Sequence, residues 1–177
     1  KNHLKMNKMQ EIRIEKVTLN LGVGGPGENM EKAVKLLKNL TGRTPVQTST
    51  KKRIPGWQIR PGLKIGCKIT LRKKQAEDFF KKMIEAKNNT LRPRNFDING
   101  NLSFGIHEYL DIPGAEYDMS IGIIGFEAAI TLSRPGFRIT NRRIKAGKIS
   151  ERHRISKEQA IEFITTKYGV SLDEEAE

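Results

Sequence analysis

The stretch "LKIGCKITLR", from Leu63 to Arg72, decides the fold because apolar and polar side chains alternate along its whole length. The apolar residues occupy the odd positions Leu63, Ile65, Cys67, Ile69 and Leu71, and the even positions are Lys64, Gly66, Lys68, Thr70 and Arg72. Successive side chains of a β-strand point to opposite faces. The alternation therefore predicts a strand with one face in a core and the other face cationic.

A second strand is predicted in "VTLNLGVG", where Val17, Leu19, Leu21 and Val23 alternate with Thr18, Asn20 and Gly22. If both strands belong to one sheet, their polar positions share a face and form a basic platform made of Thr18, Asn20, Lys64, Lys68, Thr70 and Arg72. Such a surface suits RNA, whose phosphates and 2′-hydroxyls are recognised by hydrogen-bonding and cationic side chains.

The remaining patterns alternate between helices and strands. Helices are predicted over 30–40, 76–84 and 156–168, with Gly42 and Gly169 as C-terminal caps and "SKEQ" as a capping box, and strands over 46–50, 102–106 and 126–132. Strands and helices that each have one apolar face predict an α+β fold: a largely antiparallel sheet with helices packed on one face and the other face open.

One domain is expected, over residues 11–170. A flexible or partner-ordered basic arm precedes it over 1–10, and an acidic tail follows it over 171–177. Native residues are expected before Lys1.

The composition favours a polyanionic partner. The 177 residues include 33 Lys and Arg against 20 Asp and Glu, which gives a net charge of +13 and a pI near 10.0. A field of this sign attracts nucleic acids or anionic membranes. The membrane hypothesis is disfavoured because the helices bury their apolar stripes rather than presenting a basic amphipathic face.

The single cysteine, Cys67, excludes an internal disulfide, and with no long apolar run or signal-peptide pattern the chain is expected in the reducing cytosol. Cys67 itself is expected to be a buried packing residue.

Charge is distributed unevenly along the chain. Thirteen basic residues and no acidic ones lie between Glu31 and Glu77. The segment from Asn95 to Ser133 contains no Lys or Arg but carries Asp97, Glu108, Asp111, Glu116, Asp118 and Glu127. The molecule is therefore expected to have separate basic and acidic regions.

The loop "TSTKKRIPGWQIRPG", from Thr48 to Gly62, combines the only tryptophan with clustered cations. Its basic residues are Lys51, Lys52, Arg53 and Arg60, and two Pro-Gly pairs stiffen it. Trp57 would lose apolar burial here unless it folds back or stacks on a base. An extended loop that reaches a second RNA is the preferred interpretation, and a solvated loop is the alternative.

Two further regions indicate partners. The basic segment around "RPGFRITNRRIKAGKISERH" is predicted to contact RNA, with a plain surface loop as the alternative; its residues are Arg134, Arg138, Arg142, Arg143, Lys145, Lys148, Arg152 and His153. The acidic segment "HEYLDIPGAEYD" would repel phosphate, so it is expected to bind a basic protein or to serve only as a solubilising face.

Catalysis is not expected. Gly22, Gly24 and Gly27 satisfy G-x-G-x-x-G, but no acidic residue follows at the distance that a ribose needs, and the P-loop lysine is absent. A structural turn and a close approach of RNA backbone both remain open for this loop. His3, His107 and His153 are scattered, so neither a metal, a cofactor nor an active site is predicted. The rival hypothesis is an RNA-modifying or nucleotide-dependent enzyme that uses the loop from Gly22 to Gly27.

Several collinear motifs resemble the large-subunit ribosomal protein L-five family in its archaeal and eukaryotic form. They are "RIEKVTLNLGVG", "GLKIGCKITLR", "LSFGIHEYLDIPG", "YDMSIGIIGF", "LSRPGF" and "RHRISKEQA", and they cover nearly the whole chain. The resemblance implies a non-enzymatic constituent of the cytoplasmic ribosome that anchors 5S rRNA at the central protuberance. It also implies contacts with large-subunit rRNA, other central protuberance proteins, P-site tRNA and the small subunit.

The resemblance also assigns roles to surfaces. It implies that the polar sheet face binds 5S rRNA, with Asn20, Gln47, Thr70 and Arg72 as matching positions, and that the loop from Lys51 to Arg60, including Trp57, faces P-site tRNA. The acidic residues Glu108, Asp111, Glu116 and Asp118 would then bridge to the small-subunit protein S-thirteen.

Overall fold

The computed structural model describes residues 7–25 and 27–173 of the chain. The predicted arm and tail lie partly outside these residues. The strands are β1 (Arg13–Gly22), β2 (Val46–Ser49), β3 (Lys64–Arg72), β4 (Thr90–Leu91), β5 (Leu102–Ile106), β6 (Phe126–Ser133) and β7 (Ser171–Leu172). The helices are α1 (Glu28–Thr41), α2 (Lys74–Glu85), α3 (Arg138–Asn141) and α4 (Lys157–Tyr168).

Five strands form one antiparallel sheet in the order β2-β3-β1-β6-β5. The central strand β1 is the longest, and the alternation in its sequence is present in its burial: Val17, Leu19 and Leu21 are buried, whereas Asn20 is exposed. The predicted α+β class with a largely antiparallel sheet is confirmed.

The hydrophobic core lies between one face of the sheet and the helices. Leu36 and Leu37 of α1 and Phe80 and Met83 of α2 are almost fully buried against the apolar positions of the strands. Ile164 of α4 belongs to the same core. Each such side chain contributes about 1.5–3 kcal/mol through burial, so one face of the sheet is held firmly under helices.

The helix ends follow the predicted capping signals. Gly42 ends α1 and Gly169 ends α4, both with left-handed backbone, at φ 68° and 67°. At the start of α4, the Gln159 amide donates to Ser156 Oγ at 3.3 Å, and the Ser156 amide donates to Gln159 Oε1 at 3.3 Å. This is the predicted capping box.

A short parallel pair, β4 with β7, differs from the sequence-based expectation. Thr90 pairs with Ser171, and Leu91 pairs with Leu172. The sequence predicts that Ser171 and Leu172 begin the acidic tail, but Leu172 packs against the core and keeps this segment in register. The pairing ties the end of the described chain to the segment that follows α2.

Candidate nucleic-acid interface

The face of the sheet opposite the helices is uncovered. Thr18 lies directly across from Thr70, and Asn20 lies across from Lys68. Directly opposed residues of antiparallel strands point to the same side, so these side chains share one face. The predicted sheet, apolar behind and polar in front, is confirmed for β1 and β3.

Strands β6 and β5 extend this open face with small side chains. Ala129 lies across from Thr18 on one side and from Ser103 on the other, and Glu127 lies across from Asn20 and Gly105. Ala129, Ser103 and Gly105 are all exposed. The result is an exposed surface of mostly small side chains across β5 and β6. Sequence reasoning did not extend the platform to this half, although "FEAAITLS" alternates in the same way.

The positive charge of the open face is concentrated on β3. Lys68 and Arg72 are exposed, and Lys16 of β1 lies across from Arg72. Two carboxylates reduce the charge: Glu15 lies 3.8 Å from Arg72 Nη1, and Glu127 Oε2 accepts a hydrogen bond from Asn20 Nδ2 at 3.5 Å. Lys68 has no ion pair among the described residues, so its full charge is open to a ligand.

One predicted member of the platform lies on the other face of the sheet. Gln47 pairs with Cys67, whose side chain is in the core, so Gln47 lies on the helix side of the edge strand and not on the open face. Its neighbour Val46, across from Lys68, occupies the open face instead and is 63% exposed. Lys64 is exposed but lies beyond the register shift in the β2–β3 pairing, where the alternation no longer fixes its side.

Cys67 is fully buried, as predicted, and burial raises the pKa of its thiol. At the adjacent position, a Cβ on Gly66 would meet the Leu21 carbonyl oxygen at 2.7 Å, so this glycine allows β1 and β3 to approach closely.

The loop between β2 and β3 extends from the edge of the sheet as a hairpin. Ile54 and Ile59 form an isolated bridge, and the short turn Pro55–Trp57 closes the tip. All residues from Lys51 to Gln58 are exposed, and Trp57 is 73% exposed. Of the two arrangements considered for Trp57, the ring therefore does not fold back onto the loop.

The basic segment after β6 divides into buried and exposed residues. Arg138, Arg142, Arg143, Lys145, Lys148 and Arg152 are exposed. Arg134 is only 8% exposed and donates to Gln159 Oε1 at 2.9 Å and to the carbonyls of His153 and Arg154 at 3.4 Å. The half-buried His153 has its Nε2 2.9 Å from the Pro135 carbonyl oxygen. Arg134 therefore helps to hold this segment of the fold together, and its assignment as an rRNA contact stays a prediction.

The acidic segment is partly tied to helix α1. Lys35 Nζ lies 2.7 Å from Asp118 Oδ2, and Ser120 donates to Asp118 Oδ1 through its amide at 2.9 Å and its hydroxyl at 2.6 Å. The hydrogen bonds from Lys35 and Ser120 lower the pKa of Asp118 to about 2. The other predicted acidic contacts, Glu108, Asp111 and Glu116, are exposed.

The glycine loop leads into the start of helix α1. Gly24 has φ 84° and Gly27 has φ 129°, conformations that glycine adopts readily. Glu28 and Glu31 occupy the first turn of α1. Carboxylates there already interact with the positive end of the helix and repel a pyrophosphate, which argues against nucleotide binding.

Within residues 7–25 and 27–173, no group of three or more His, Cys, Asp or Glu side chains could hold a metal ion. Over the same residues, no helix combines the length and the apolar character needed to cross a membrane.

Comparison with known proteins identifies relatives over nearly the whole chain. Residues 7–60 match the family model of Ribosomal protein L5, and residues 64–163 match the model of the C-terminus of the same ribosomal family. The chain is 48% identical over 170 residues to the "Large ribosomal subunit protein uL5" of Sulfurisphaera tokodaii, with 96% of each chain covered. It is 48% identical over 165 residues to that of Nanoarchaeum equitans, covering 93% of this chain and 97% of the relative. It is 41% identical over 166 residues to that of Methanobrevibacter smithii, covering 94% and 98%.

Proposed function

Because this chain belongs to the uL5 family of large ribosomal subunit proteins, we propose that its open sheet face binds 5S rRNA and anchors it at the central protuberance. The family is structural and non-enzymatic, so the chain is a constituent of the cytoplasmic ribosome and not the enzyme considered as the rival hypothesis. The observation that carries the proposal is the uncovered face with Thr18 opposite Thr70 and Asn20 opposite Lys68.

The chemistry of this face suits the shallow minor groove of RNA. The hydroxyls of Thr18 and Thr70 both donate and accept hydrogen bonds, and the Asn20 amide does the same, so they can pair with 2′-hydroxyls and base edges. Lys68 and Arg72 neutralise phosphates at the side of the platform. The small residues of β5 and β6 let an RNA helix lie flat across the sheet.

The hairpin from Lys51 to Arg60 is proposed to contact P-site tRNA. Its cations lie beyond the edge of the sheet, so they can reach an RNA that the open face does not touch. The exposed Trp57 ring offers a stacking surface for a base, an interaction worth about 1–3 kcal/mol.

Two further contacts complete the proposal. The exposed cations Arg138, Arg142, Arg143, Lys148 and Arg152 are assigned to large-subunit rRNA, near other proteins of the central protuberance. The exposed carboxylates Glu108, Asp111 and Glu116 are assigned to the bridge with the basic small-subunit protein S-thirteen. Asp118 is engaged by Lys35 and positions the acidic loop instead of providing a free charge.

Filter binding of purified protein to 5S rRNA at fixed monovalent salt tests the main assignment. The double variant Thr70→Ala, Arg72→Gln should bind at least tenfold more weakly, because it removes a hydroxyl and a cation from the platform and leaves Glu15 unpaired beside the RNA. A matched control, Thr165→Ala with Lys81→Gln, removes a hydroxyl and a cation from exposed helix positions and should change affinity less than twofold. Equal affinity of both variants would refute the assignment of the open face to 5S rRNA.

A further inference from the structure

A groove along helix α4 is lined by none of the residues assigned above to 5S rRNA or to P-site tRNA. Its volume is about 480 Å³, which is in the range of ligand-binding pockets. It is lined by Ile12, Arg134 and Arg152 together with Gln159, Glu162 and Phe163 of α4. This α4 groove therefore combines cationic, polar and apolar groups in one concave site.

The charge of Arg134 in this groove is buried and has no counter-charge. Its side chain is 8% exposed, and within residues 7–25 and 27–173 no carboxylate forms an ion pair with it. Its partners are neutral, namely Gln159 Oε1 at 2.9 Å and two backbone carbonyls at 3.4 Å. The Nε–H of Arg134 is buried and has no hydrogen-bond partner in the same part of the chain. A guanidinium cannot lose its proton, and a buried charge is costly without a partner, so the groove favours an anionic group beside Arg134.

Apolar surface lies further along the same face of α4. Phe163 and Ile12 line the groove and are only half-buried. Phe163 follows Gln159 by one helical turn, which is a distance of about 6 Å along the helix axis. In an extended peptide, side chains two residues apart point to the same side and are separated by about 6.6 Å. An extended chain that follows α4 can therefore place one side chain beside Arg134 and Gln159 and the next side chain of the same face on Phe163.

The charges of the α4 groove favour a peptide over a nucleic acid. Among the lining residues, Arg152 is the one exposed cation without an ion pair in the described part of the chain, because Lys167 Nζ lies 3.6 Å from Glu77 Oε1. A phosphate chain gains affinity from several free cations, and the exposed Glu162 carboxylate repels it. A peptide that brings a single carboxylate and an apolar side chain matches the groove better, since it meets one buried cation and one apolar surface.

We propose that the α4 groove binds an extended segment of a partner protein that carries a carboxylate side chain and, two residues away, an apolar side chain. The carboxylate accepts a hydrogen bond from the Arg134 Nε–H and neutralises its charge, and the apolar side chain packs on Phe163. Arg152 is not required for this contact and keeps its assignment to rRNA. Because the groove shares no residue with the open face, a protein partner and 5S rRNA can be bound at the same time.

Side-chain NMR of the ¹⁵N-labelled protein tests this site in the wild-type chain. Two peptides with blocked termini, Gly-Ser-Glu-Gly-Leu-Ser-Gly and Gly-Ser-Leu-Gly-Glu-Ser-Gly, present the carboxylate and the apolar side chain in both chain directions. At least one of them should shift the Arg134 Nε–H resonance, which Arg134→Lys identifies by its disappearance, with a Kd of about 0.1–1 mM. Replacing the Glu of that peptide with Gln should weaken binding at least tenfold, because the charge-assisted hydrogen bond is lost.

The variant Phe163→Ala tests the apolar end of the groove without changing Arg134. It should weaken peptide binding at least threefold. The matched control Ile161→Ala truncates another half-buried apolar side chain of α4 that does not line the groove, and it should leave the Kd nearly unchanged. Thermal unfolding checks that both variants are folded. The affinity of Phe163→Ala for 5S rRNA should stay within about twofold of wild type, so failure of the peptide site can be distinguished from failure of the open-face assignment.

Weaker binding of the Gln peptide together with a loss in Phe163→Ala, but not in Ile161→Ala, supports the proposal. If neither Glu peptide shifts the Arg134 resonance at about 2 mM, the proposal is overturned. Equal affinities of the Glu and Gln peptides, or equal losses in Phe163→Ala and Ile161→Ala, also overturn it. Inorganic phosphate and a short oligouridylate are titrated in parallel. If either shifts the resonance at a lower concentration than the Glu peptides do, Arg134 is an RNA contact and the peptide assignment fails.

Discussion

Arg134 at the end of the sheet and Gln159 in the first turn of α4 are joined by a hydrogen bond of 2.9 Å from Arg134 Nη2 to Gln159 Oε1. The same Gln159 oxygen lies 3.3 Å from the Ser156 amide that it caps. Arg134 thereby connects the end of strand β6 to the start of α4 and fixes the segment that contains His153. A basic residue in a run of exposed cations is thus part of the framework of the fold.

Replacing Arg134 with Gln should lower the free energy of unfolding by about 2 kcal/mol, because hydrogen bonds made by a charged, buried group are lost. Urea unfolding followed by circular dichroism measures the change. Arg138→Gln, an exposed neighbour in the same basic segment, should alter the free energy of unfolding by less than about 0.5 kcal/mol. If the Arg134 variant were as stable as wild type yet bound rRNA weakly, Arg134 would be an RNA contact and not a residue that stabilises the fold.

The contrast between Lys68 and Arg134 explains how far the sequence could predict this molecule. The side of Lys68 follows from a local period of two, which is visible in the run from Leu63 to Arg72. The burial of Arg134 depends on Gln159, which lies 25 residues further along the chain. No local pattern reports such a contact.

Dependence on distant parts of the chain also accounts for the other differences between the predicted and the observed structure. Gln47 lies on a four-residue edge strand whose register is set by the long loop that follows, so its face could not be read from its own sequence. The β4–β7 pair joins Thr90 to Ser171 across the chain, and two-residue strands carry no periodicity. The long alternating strands and amphipathic helices, in contrast, were predicted correctly, and the collinear motifs led to the family that the comparisons confirm.

The carboxylates on the open face predict that removing negative charge strengthens RNA binding. Glu15→Gln frees Arg72 from its partner at 3.8 Å, and Glu127→Gln removes the acceptor beside Asn20. Each variant should raise the affinity for 5S rRNA about twofold to fivefold at low salt, with the gain shrinking as salt rises. Filter binding over a salt series provides the measurement. Glu85→Gln, at an exposed position of α2, is the control for net charge. An equal gain in 5S rRNA affinity in this variant would mean that only the overall electrostatic field of the protein matters.

RNA binding by the hairpin between β2 and β3 should be separable by mutation from RNA binding by the open face. The variant Lys51→Gln, Lys52→Gln, Arg53→Gln removes three charges that lie beyond the sheet edge, so 5S rRNA affinity should stay within about threefold. Ribosomes reconstituted with this variant, or with Trp57→Ala, should bind P-site tRNA more weakly. A tenfold loss of 5S rRNA affinity would contradict the assignment of separate RNAs to the two surfaces.

Tyr168 predicts a stability change at alkaline pH. Its hydroxyl is buried without a hydrogen-bond partner in the described part of the chain, and burial, aided by the Glu77 carboxylate, raises the pKa of Tyr168 to about 12. The unfolded chain loses this proton near pH 10, whereas the folded chain keeps it until about pH 12. The contribution of the protonated Tyr168 to folding stability is therefore complete below pH 10 and is lost as the pH rises from 10 to about 12.

Tyr168→Phe should remove the part of the loss of folding stability at alkaline pH that Tyr168 causes. It should also leave stability at pH 7 unchanged or raise it by up to about 1 kcal/mol, since an unpaired hydroxyl is replaced by an apolar edge. Thermal unfolding from neutral to strongly alkaline pH compares it with Tyr117→Phe, an exposed tyrosine whose replacement should not affect the decline. A loss of stability in Tyr168→Phe at neutral pH would show that the hydroxyl has a partner.

The ion pair between Lys35 and Asp118 should make the acidic loop sensitive to low pH. The hydrogen bond from Lys35, followed by those from Ser120, lowers the pKa of Asp118 to about 2, against an ordinary value of 3.8. A depressed folded pKa contributes stability that is present above pH 3.8 and is lost as the pH falls through about 2. Lys35→Met should therefore raise the pKa of Asp118 and flatten the acid dependence of unfolding in this interval.

The carboxyl ¹³C shift of Asp118, followed by NMR, reports this pKa directly. Lys38→Met, exposed in the last turn of the same helix, is the control and should leave the titration of Asp118 in place. An unchanged titration of Asp118 in Lys35→Met would mean that Ser120 alone sets the pKa, and that the loop is not held to α1 through this charge.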